Sequence, residues 1–203
     1  FIQTPGTEFG DMALTEVSRG CSRGCRFCAA GYVYLPPRDR SLGNLLEQVD
    51  SGLCQRDKIG LVGAAVADYP QIELLQQGIL QRGGKVSVSS LRLDALTEAE
   101  VDGLRASGHR TVSIAPEAGS QRLRDLINKG LDEEQILAAV RLLADGDILH
   151  LKLYFLIGLP TETEEDLDAL LQLTEQIRLL WREAGRRRGS LGTVTLSVNP
   201  FIP

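Results

Sequence analysis

Residues 149–157 read LHLKLYFLI, and residues 158–173 continue as GLPTETEEDLDALLQL. The first segment is apolar at most positions, which is typical of a strand buried in a parallel sheet. The second places acidic residues ahead of a leucine stripe, which is typical of the start of an amphipathic helix. Together the two segments predict one β-strand followed by one α-helix, the unit from which parallel α/β folds are built.

The same alternation continues along the rest of the chain. Capping-box patterns at Thr97 and Asp132 predict helix starts, and Gly108, Gly130 and Gly146 predict helix ends. Further β-rich runs stand at 12–17, 58–62, 85–89, 111–115 and 192–198. Six strands with helical crossovers predict an α/β fold with a parallel sheet and helices outside, either doubly wound or a barrel, complete or partial. Functional residues are then expected at the carboxyl ends of the strands.

The composition narrows the class of protein. The 203 residues are 43% hydrophobic and 24% charged, which suits one globular domain spanning 1–203. No apolar stretch approaches the roughly 18 residues of a membrane span. The net charge of −5 argues against a dedicated nucleic-acid-binding protein. The chain begins at Phe1 without an initiator methionine or a signal peptide, so we expect a cytoplasmic domain cut from a larger protein.

Three of the four cysteines follow the first predicted strand. Cys21, Cys25 and Cys28 have the spacing C-x3-C-x2-C, and Gly20 and Gly24 permit tight turns beside them. Clustered cysteines in a chain without a secretory signal indicate a metal or redox site rather than disulfides. Three thiolates favour an iron–sulfur cluster in which one iron lacks a protein ligand and is open to a cofactor or substrate.

Zinc is the alternative metal. A structural zinc site needs four ligands, so Cys54, His109 or His150 would have to complete it. Cys54 stands at an expected helix end and is more typical of a packed thiol, and the two histidines follow no ligand spacing. Cysteines without any ligand are the remaining alternative.

With Phe27 before the third cysteine, the motif reads C-x3-C-x-aromatic-C and resembles the signature of the radical S-adenosylmethionine (radical SAM) superfamily, which implies a cofactor contact by Phe27. The resemblance extends over nearly the whole chain and implies a partial (βα)6 TIM-like barrel. It also implies a [4Fe-4S] cluster whose open iron binds SAM. Reduction of that cluster would cleave SAM to methionine and a 5′-deoxyadenosyl radical, which abstracts hydrogen from a substrate that the sequence does not identify. An electron donor of the flavodoxin or ferredoxin type is then an expected partner.

The resemblance also implies SAM contacts at two of the strand ends. Gly63 and Ala64 stand where the family often has Gly-Gly-Glu, here without the glutamate, and are expected to meet the SAM amino group through the backbone. Ser90 and Arg92 are expected at the ribose or carboxylate of SAM, because a guanidinium matches a carboxylate. A surface Arg92 paired with Asp94 is the alternative.

Two further strand ends match the family. Glu117 follows the fourth strand in a stretch similar to the family's Glu-Ser-Gly-Ser element, which implies a contact with the ribose or amino group of SAM. Ile157 and Gly158 begin a stretch that closely resembles the Elongator-type and methylthiotransferase-type branches, which implies a contact with adenine. The alternative is a strand-to-helix turn capped by Thr161 or Thr163.

A narrower resemblance concerns residues 32–41, 62–65 and 197–203, which look like a subgroup of radical SAM proteins that commonly carry an N-terminal cobalamin-binding domain. It implies cobalamin in a parent protein and methyl or methylthio transfer as the reaction. RNA modification is a second hypothesis, with the arginines at 186–188 as phosphate contacts or, alternatively, as a solvated helix end. A non-catalytic iron–sulfur or zinc module is the third.

The four cysteines give the first test. We expect the anaerobically reconstituted protein to bind about four irons, and we expect Cys21→Ala, Cys25→Ala or Cys28→Ala to abolish that binding because each removes a thiolate ligand. Cys54→Ala is the matched control and should retain the iron. Iron and sulfide analysis measures both results. Bound zinc in place of iron, or iron loss in the control, would contradict the ligand set.

Overall fold

The computed structural model describes residues 6–7, 9–88, 91, 93–94 and 96–202. Within these ranges strands and helices alternate along the chain, and a short 3-10 turn, Val66–Asp68, follows β4. The elements are β1 (Ala13–Glu16), β2 (Ser18–Arg19), α1 (Ala30–Val33), β3 (Arg38–Asp39), α2 (Leu42–Leu53), β4 (Lys58–Val62), α3 (Ile72–Gln81), β5 (Lys85–Val88), α4 (Glu98–Ala106), β6 (Thr111–Glu117), α5 (Gln121–Leu126), α6 (Glu133–Asp145), β7 (His150–Ile157), α7 (Glu164–Arg187) and β8 (Thr193–Pro200).

Six strands form two parallel sheets, in the orders β1-β4-β5 and β6-β7-β8. All six predicted strands and the helical crossovers between them are therefore confirmed, and the fold is the predicted α/β type. No pairing among the described residues closes the sheets into a complete barrel, which agrees with a partial one. The antiparallel ribbon of β2 and β3 was not predicted, because strands of two residues carry no readable hydrophobic period.

Helices cover one face of each sheet. In β7, Leu151, Leu153 and Phe155 are buried in one cluster with apolar residues of α6 and α7. The alternate residues Lys152 and Tyr154 face the other side and are only partly buried. The strand is thus buried on its outer face and polar on its inner face, which corrects the expectation of a strand buried on both. Among the described helices, none is long and apolar enough to cross a membrane.

The predicted helix starts are confirmed by their hydrogen bonds. Thr97 Oγ1 accepts from the Glu100 N–H at 3.2 Å, and Glu100 Oε2 accepts in return from the Thr97 N–H at 3.0 Å. Asp132 and Gln135 exchange the equivalent pair at the start of α6. Each reciprocal pair satisfies two backbone donors that the helix leaves without partners.

Gly146 ends α6 as predicted, but for a different reason. Its φ of −81° is not the left-handed value that favours glycine at helix ends. A Cβ at this position would lie 2.1 Å from Val101 Cγ1 of α4, so glycine is needed for close packing between helices.

Two side chains form hydrogen bonds with backbone groups of β5 at the edge of the sheet where no described strand pairs with it. The Val86 N–H donates to Ser107 Oγ at 3.0 Å, and His109 Nε2 lies 2.8 Å from the Val86 carbonyl oxygen. Both side chains come from the end of α4 and stand where an adjacent strand would otherwise pair. His109 is therefore engaged at the sheet edge, and His150 is engaged with Thr193 Oγ1 at 2.9 Å, so neither histidine belongs to the cysteine motif.

Gly119 gives a test of the packing that fixes the end of β6. A Cβ at Gly119 would stand 2.1 Å from the Leu170 backbone nitrogen of α7, so Gly119→Ala should lower the free energy of unfolding by about 3 kcal/mol. Gly43→Ala on α2 is the control, because the added methyl group would have no atom within 4 Å outside its chain neighbours and the backbone of its own helix. Urea unfolding measures both. Equal stability of the two variants would contradict the close approach of α7.

Candidate functional site

The three predicted metal ligands lie on one loop at the carboxyl ends of the strands. We call residues 20–29, between β2 and α1, the cysteine loop. Cys21, Cys25 and Cys28 are unpaired by disulfides, partly buried, and line a single cavity of about 270 Å³. Gly20 has a φ of +92°, and a Cβ there would lie 2.4 Å from the Tyr34 carbonyl oxygen, so the turn into the loop requires glycine.

The thiols suit a cluster better than a single ion. In the part of the chain that is described, no three His, Cys, Asp or Glu side chains are placed to hold one metal ion. Zinc would need its ligands at about 2.0–2.3 Å from one point. An iron–sulfur cluster has several irons, each of which takes its own thiolate, so the thiolates need not converge on one point. Cys54 lies away from this cavity, at the exposed end of α2, where its thiol donates to the Asp50 carbonyl at 3.3 Å.

One side of the cysteine loop is fixed to the segment that follows α5. The Arg26 N–H donates to the Ile127 carbonyl at 2.9 Å, and Asn128 Nδ2 donates to the Gly24 carbonyl at 3.0 Å. Phe27 packs against the buried cluster that contains Leu123 and Ile127. The aromatic position of the motif therefore anchors the loop on the β6 side of the cavity, in addition to the cofactor contact predicted for it.

The other side of the loop is fixed by Arg23, which the sequence did not single out. Its guanidinium donates to both carboxylate oxygens of Asp68 at 2.9 Å and to both carboxylate oxygens of Asp94 at 3.2 Å. Asp68 follows β4 and Asp94 follows β5, so Arg23 joins the cysteine loop to the first sheet. All three side chains line the cavity.

Glu117 lies in the cavity wall as predicted. It ends β6 after an irregularity in the pairing with β7, and its φ of +66° is unusual for a residue other than glycine. Lys129 Nζ stands 3.2 Å from Glu117 Oε1 and 5.9 Å from the centre of the Phe27 ring. Burial raises the pKa of the Glu117 carboxyl, and the Lys129 ammonium opposes part of that rise.

Lys129 also influences the cysteines. Burial raises the pKa of the Cys25 thiol, and the positive charge of Lys129 acts in the opposite direction. Lys129 was not predicted from the sequence, because it comes twelve residues after Glu117 and reaches the site only through the turn at Asn128, whose φ is +52°. The cavity thus holds a buried acid and a base beside three thiols.

The remaining predicted contacts divide into three groups. Ala64 lines the cavity, and Gly63 borders a neighbouring one, where a Cβ would lie 3.0 Å from Ser18 Oγ. Ser90 and Arg92 lie outside the described residues, so their contacts stay predictions. Ile157 ends β7 and Gly158 follows it, and neither residue lines this cavity.

The turn after β7 is stabilised within itself. The Gly158 N–H donates to Glu162 Oε2 at 2.5 Å, and Asp166 accepts from the N–H and hydroxyl of Thr163 at 2.9 and 3.0 Å. Thr163 is thus the residue before α7, as the structural alternative predicted. This alternative does not exclude a cofactor contact by Ile157 or Gly158, which stays a prediction.

Glu117 gives a test of the site's electrostatics. Because its pKa in the folded protein is raised above 4.5, the unfolded chain binds fewer protons above that pH, and stability falls as pH rises through the folded-state pKa. Glu117→Gln should remove this fall, so the stability of the variant relative to the wild type should rise as the pH is raised from 4.5 through the folded-state pKa. Urea unfolding of the cluster-free proteins measures it. Parallel pH profiles would contradict the burial of a charged Glu117.

Comparison with other sequences identifies relatives over most of the chain. A family described as "Radical SAM superfamily" matches residues 15–174. An uncharacterized protein of Methanocaldococcus jannaschii is 39% identical over 197 residues, which are 96% of this chain and 41% of that protein. A tRNA-2-methylthio-N(6)-dimethylallyladenosine synthase of Ruegeria pomeroyi is 27% identical over 193 residues. This match covers 86% of this chain and 43% of that protein. The chain thus spans about two fifths of these relatives.

Among solved structures, the cobalamin-dependent S-adenosylmethionine radical enzyme OxsB superposes with a TM-score of 0.64 at 21% identity, over 80% of this chain and 26% of that one. This similarity shows a shared fold. The family match includes the cysteine loop, Glu117 and Lys129, and it covers well over half of the 203 residues. The chain therefore belongs to the radical SAM superfamily.

Proposed function

We propose that this chain is the catalytic core of a radical SAM enzyme, with a [4Fe-4S] cluster on Cys21, Cys25 and Cys28 and with SAM in the adjoining cavity. The observation that carries the proposal is the convergence, in a chain of this superfamily, of three free thiols and the buried Glu117–Lys129 pair on one cavity. Three thiolates would leave one iron of such a cluster without a protein ligand, and that iron would be open to SAM.

When bound, the cluster and SAM supply one-electron reductive cleavage of SAM and abstraction of hydrogen from a substrate. The protein holds and orients the reactants. Glu117 presents a carboxylate that can accept hydrogen bonds from a hydroxyl or ammonium group, and Lys129 keeps that carboxylate directed into the cavity. Small side chains leave room for the ligand, and apolar ones keep water from the reacting atoms; they are Ala64, Ala65, Ala67, Leu91, Leu93 and Leu131.

Methyl or methylthio transfer is the finer proposal for the reaction. It is supported by the 27% identical relative, whose name describes a tRNA methylthiolation activity. The likeness to OxsB extends only to the fold, so cobalamin in a parent protein stays a prediction. An electron donor of the flavodoxin or ferredoxin type also stays a prediction, as does a cytoplasmic location.

The same relative supports tRNA as a second candidate substrate class. The arginines at 186–188 do not strengthen it, because two of them are engaged within the protein. Arg188 donates to the Ala144 and Ile148 carbonyls at 3.0 and 3.1 Å, and Arg187 pairs with Asp145 at 2.6 Å. Binding of tRNA by the full-length protein that weakens steeply with salt would support this candidate, and its absence would count against it.

SAM cleavage tests the main proposal. The full-length protein, reconstituted anaerobically and incubated with SAM and dithionite, should release 5′-deoxyadenosine, which chromatography with mass detection measures. Cys28→Ala is the matched control and should release none, because the cluster has lost a ligand. A protein with a complete iron complement and no nucleoside product would contradict the proposal. Zinc instead of iron would favour the non-catalytic module.

A further inference from the structure

The cysteine loop contacts both sheets at the cavity. The first sheet contributes Asp68 and Asp94 after β4 and β5, and the second contributes Glu117 and Lys129 after β6. No described residues pair β5 with β6, so backbone hydrogen bonds do not fix the distance between these walls. Apolar packing of Leu91 and Leu93 with the core of the second sheet also joins the walls, so the loop is one of the contacts on which the width of the cavity depends.

The loop is attached to the two walls by different means. On the second-sheet side it is held by backbone hydrogen bonds and by apolar packing of Phe27. Among the described residues, the side-chain hydrogen bonds from the loop to the first-sheet side are those of Arg23, which lies between the ligands Cys21 and Cys25 and reaches across 45 and 71 residues of sequence to its two carboxylates.

The ion pairs of Arg23 are stronger than ordinary ion pairs on a protein surface. The side chains of Arg23, Asp68 and Asp94 are 26%, 21% and 13% exposed, so solvent screens these pairs less than an ordinary surface ion pair. The planar guanidinium makes two-oxygen contacts with both carboxylates, which fixes direction as well as distance. A lysine ammonium could not hold both carboxylates in this geometry.

We propose that Arg23 is a positioning residue: by holding Asp68 and Asp94 it fixes the cysteine loop against the ends of β4 and β5 and sets the width of the cavity that receives SAM. The inference rests on the proposed function, because it takes SAM to be the ligand of this cavity. It assigns to Arg23 no contact with iron or with SAM. The iron site itself does not depend on this attachment, because its three ligands lie within eight residues of a loop that stays anchored on the second sheet.

The test separates cluster loading from SAM affinity. We expect reconstituted Arg23→Gln to keep about four irons. Its apparent Kd for SAM, measured by titrating the change in the EPR spectrum of the reduced cluster, should rise about tenfold or more because the cavity loses its fixed width. Asp68→Asn and Asp94→Asn should act in the same direction, and Arg23→Lys should fall between Arg23→Gln and the wild type. Asp50→Asn is the control, since it breaks an exposed Arg–Asp pair with Arg82 away from the site.

A double-mutant cycle shows whether the carboxylates act through Arg23. The combined Arg23→Gln and Asp94→Asn variant should weaken SAM binding by clearly less than the product of the two single effects, because both remove the same contact. Fully multiplicative effects would overturn the inference, since Asp94 would then act on SAM independently. Circular dichroism and thermal melting of the cluster-free proteins verify that each variant is folded. If Arg23→Gln is not folded, the SAM affinities of Asp94→Asn and Arg23→Lys test the proposal instead.

Three further results decide between this inference and the proposed function. An Arg23→Gln protein with wild-type SAM affinity would overturn the positioning role alone. If a folded Arg23→Gln protein lost iron in parallel with its response to SAM, the positioning role would also be overturned. The Arg23 contacts would then be needed to bind the cluster. A wild-type protein that holds the cluster but shows no spectral response to SAM would overturn the proposed function, and the inference with it.

Discussion

The cysteine loop has no regular secondary structure of its own beyond single turns, so its position depends on being held from two sides. The Arg26 and Asn128 hydrogen bonds hold it to the second sheet, and the Arg23 ion pairs hold it to the first. Because the two sheets share no described backbone ladder, the relation between their strand ends is decided largely by this loop and by the helices packed outside. The loop spans the gap between the two sheets, and its cysteines form part of the cavity wall.

The site has two features that an ordinary strand end lacks. Glu117 adopts a left-handed backbone conformation and is a mostly buried acid whose pKa is raised by desolvation. Both features destabilise the folded state, and each persists because surrounding contacts hold it. Lys129 provides one such contact, and the close approach of α7 to Gly119 fixes the turn that follows. Strain and buried charge at one strand end are typical of a site selected for binding rather than for stability.

Much of the fold could be predicted because the burial of one face of a strand or helix makes apolar residues recur at regular intervals in the sequence. Strands such as β7 and helix starts such as Thr97 and Asp132 are local patterns, and local hydrogen bonding and packing decide them. The prediction was less complete where one element meets another. Gly146 stands at the end of α6 because its Cα packs closely against Val101 of α4. A glycine at a predicted helix end does not reveal such a contact with a second helix.

The sequence by itself determined the α/β alternation, the three clustered thiols and the acid at the end of β6, because each depends on residues close together in the chain. The tertiary structure decided that Arg23 meets Asp68 and Asp94 and that Lys129 meets Glu117. It also decided that Cys54 lies outside the cavity that the other three cysteines line. The physical reason is that charge pairing across 45 or 71 residues has no period and no spacing. Such pairs form only where parallel strands bring their carboxyl ends to a common edge.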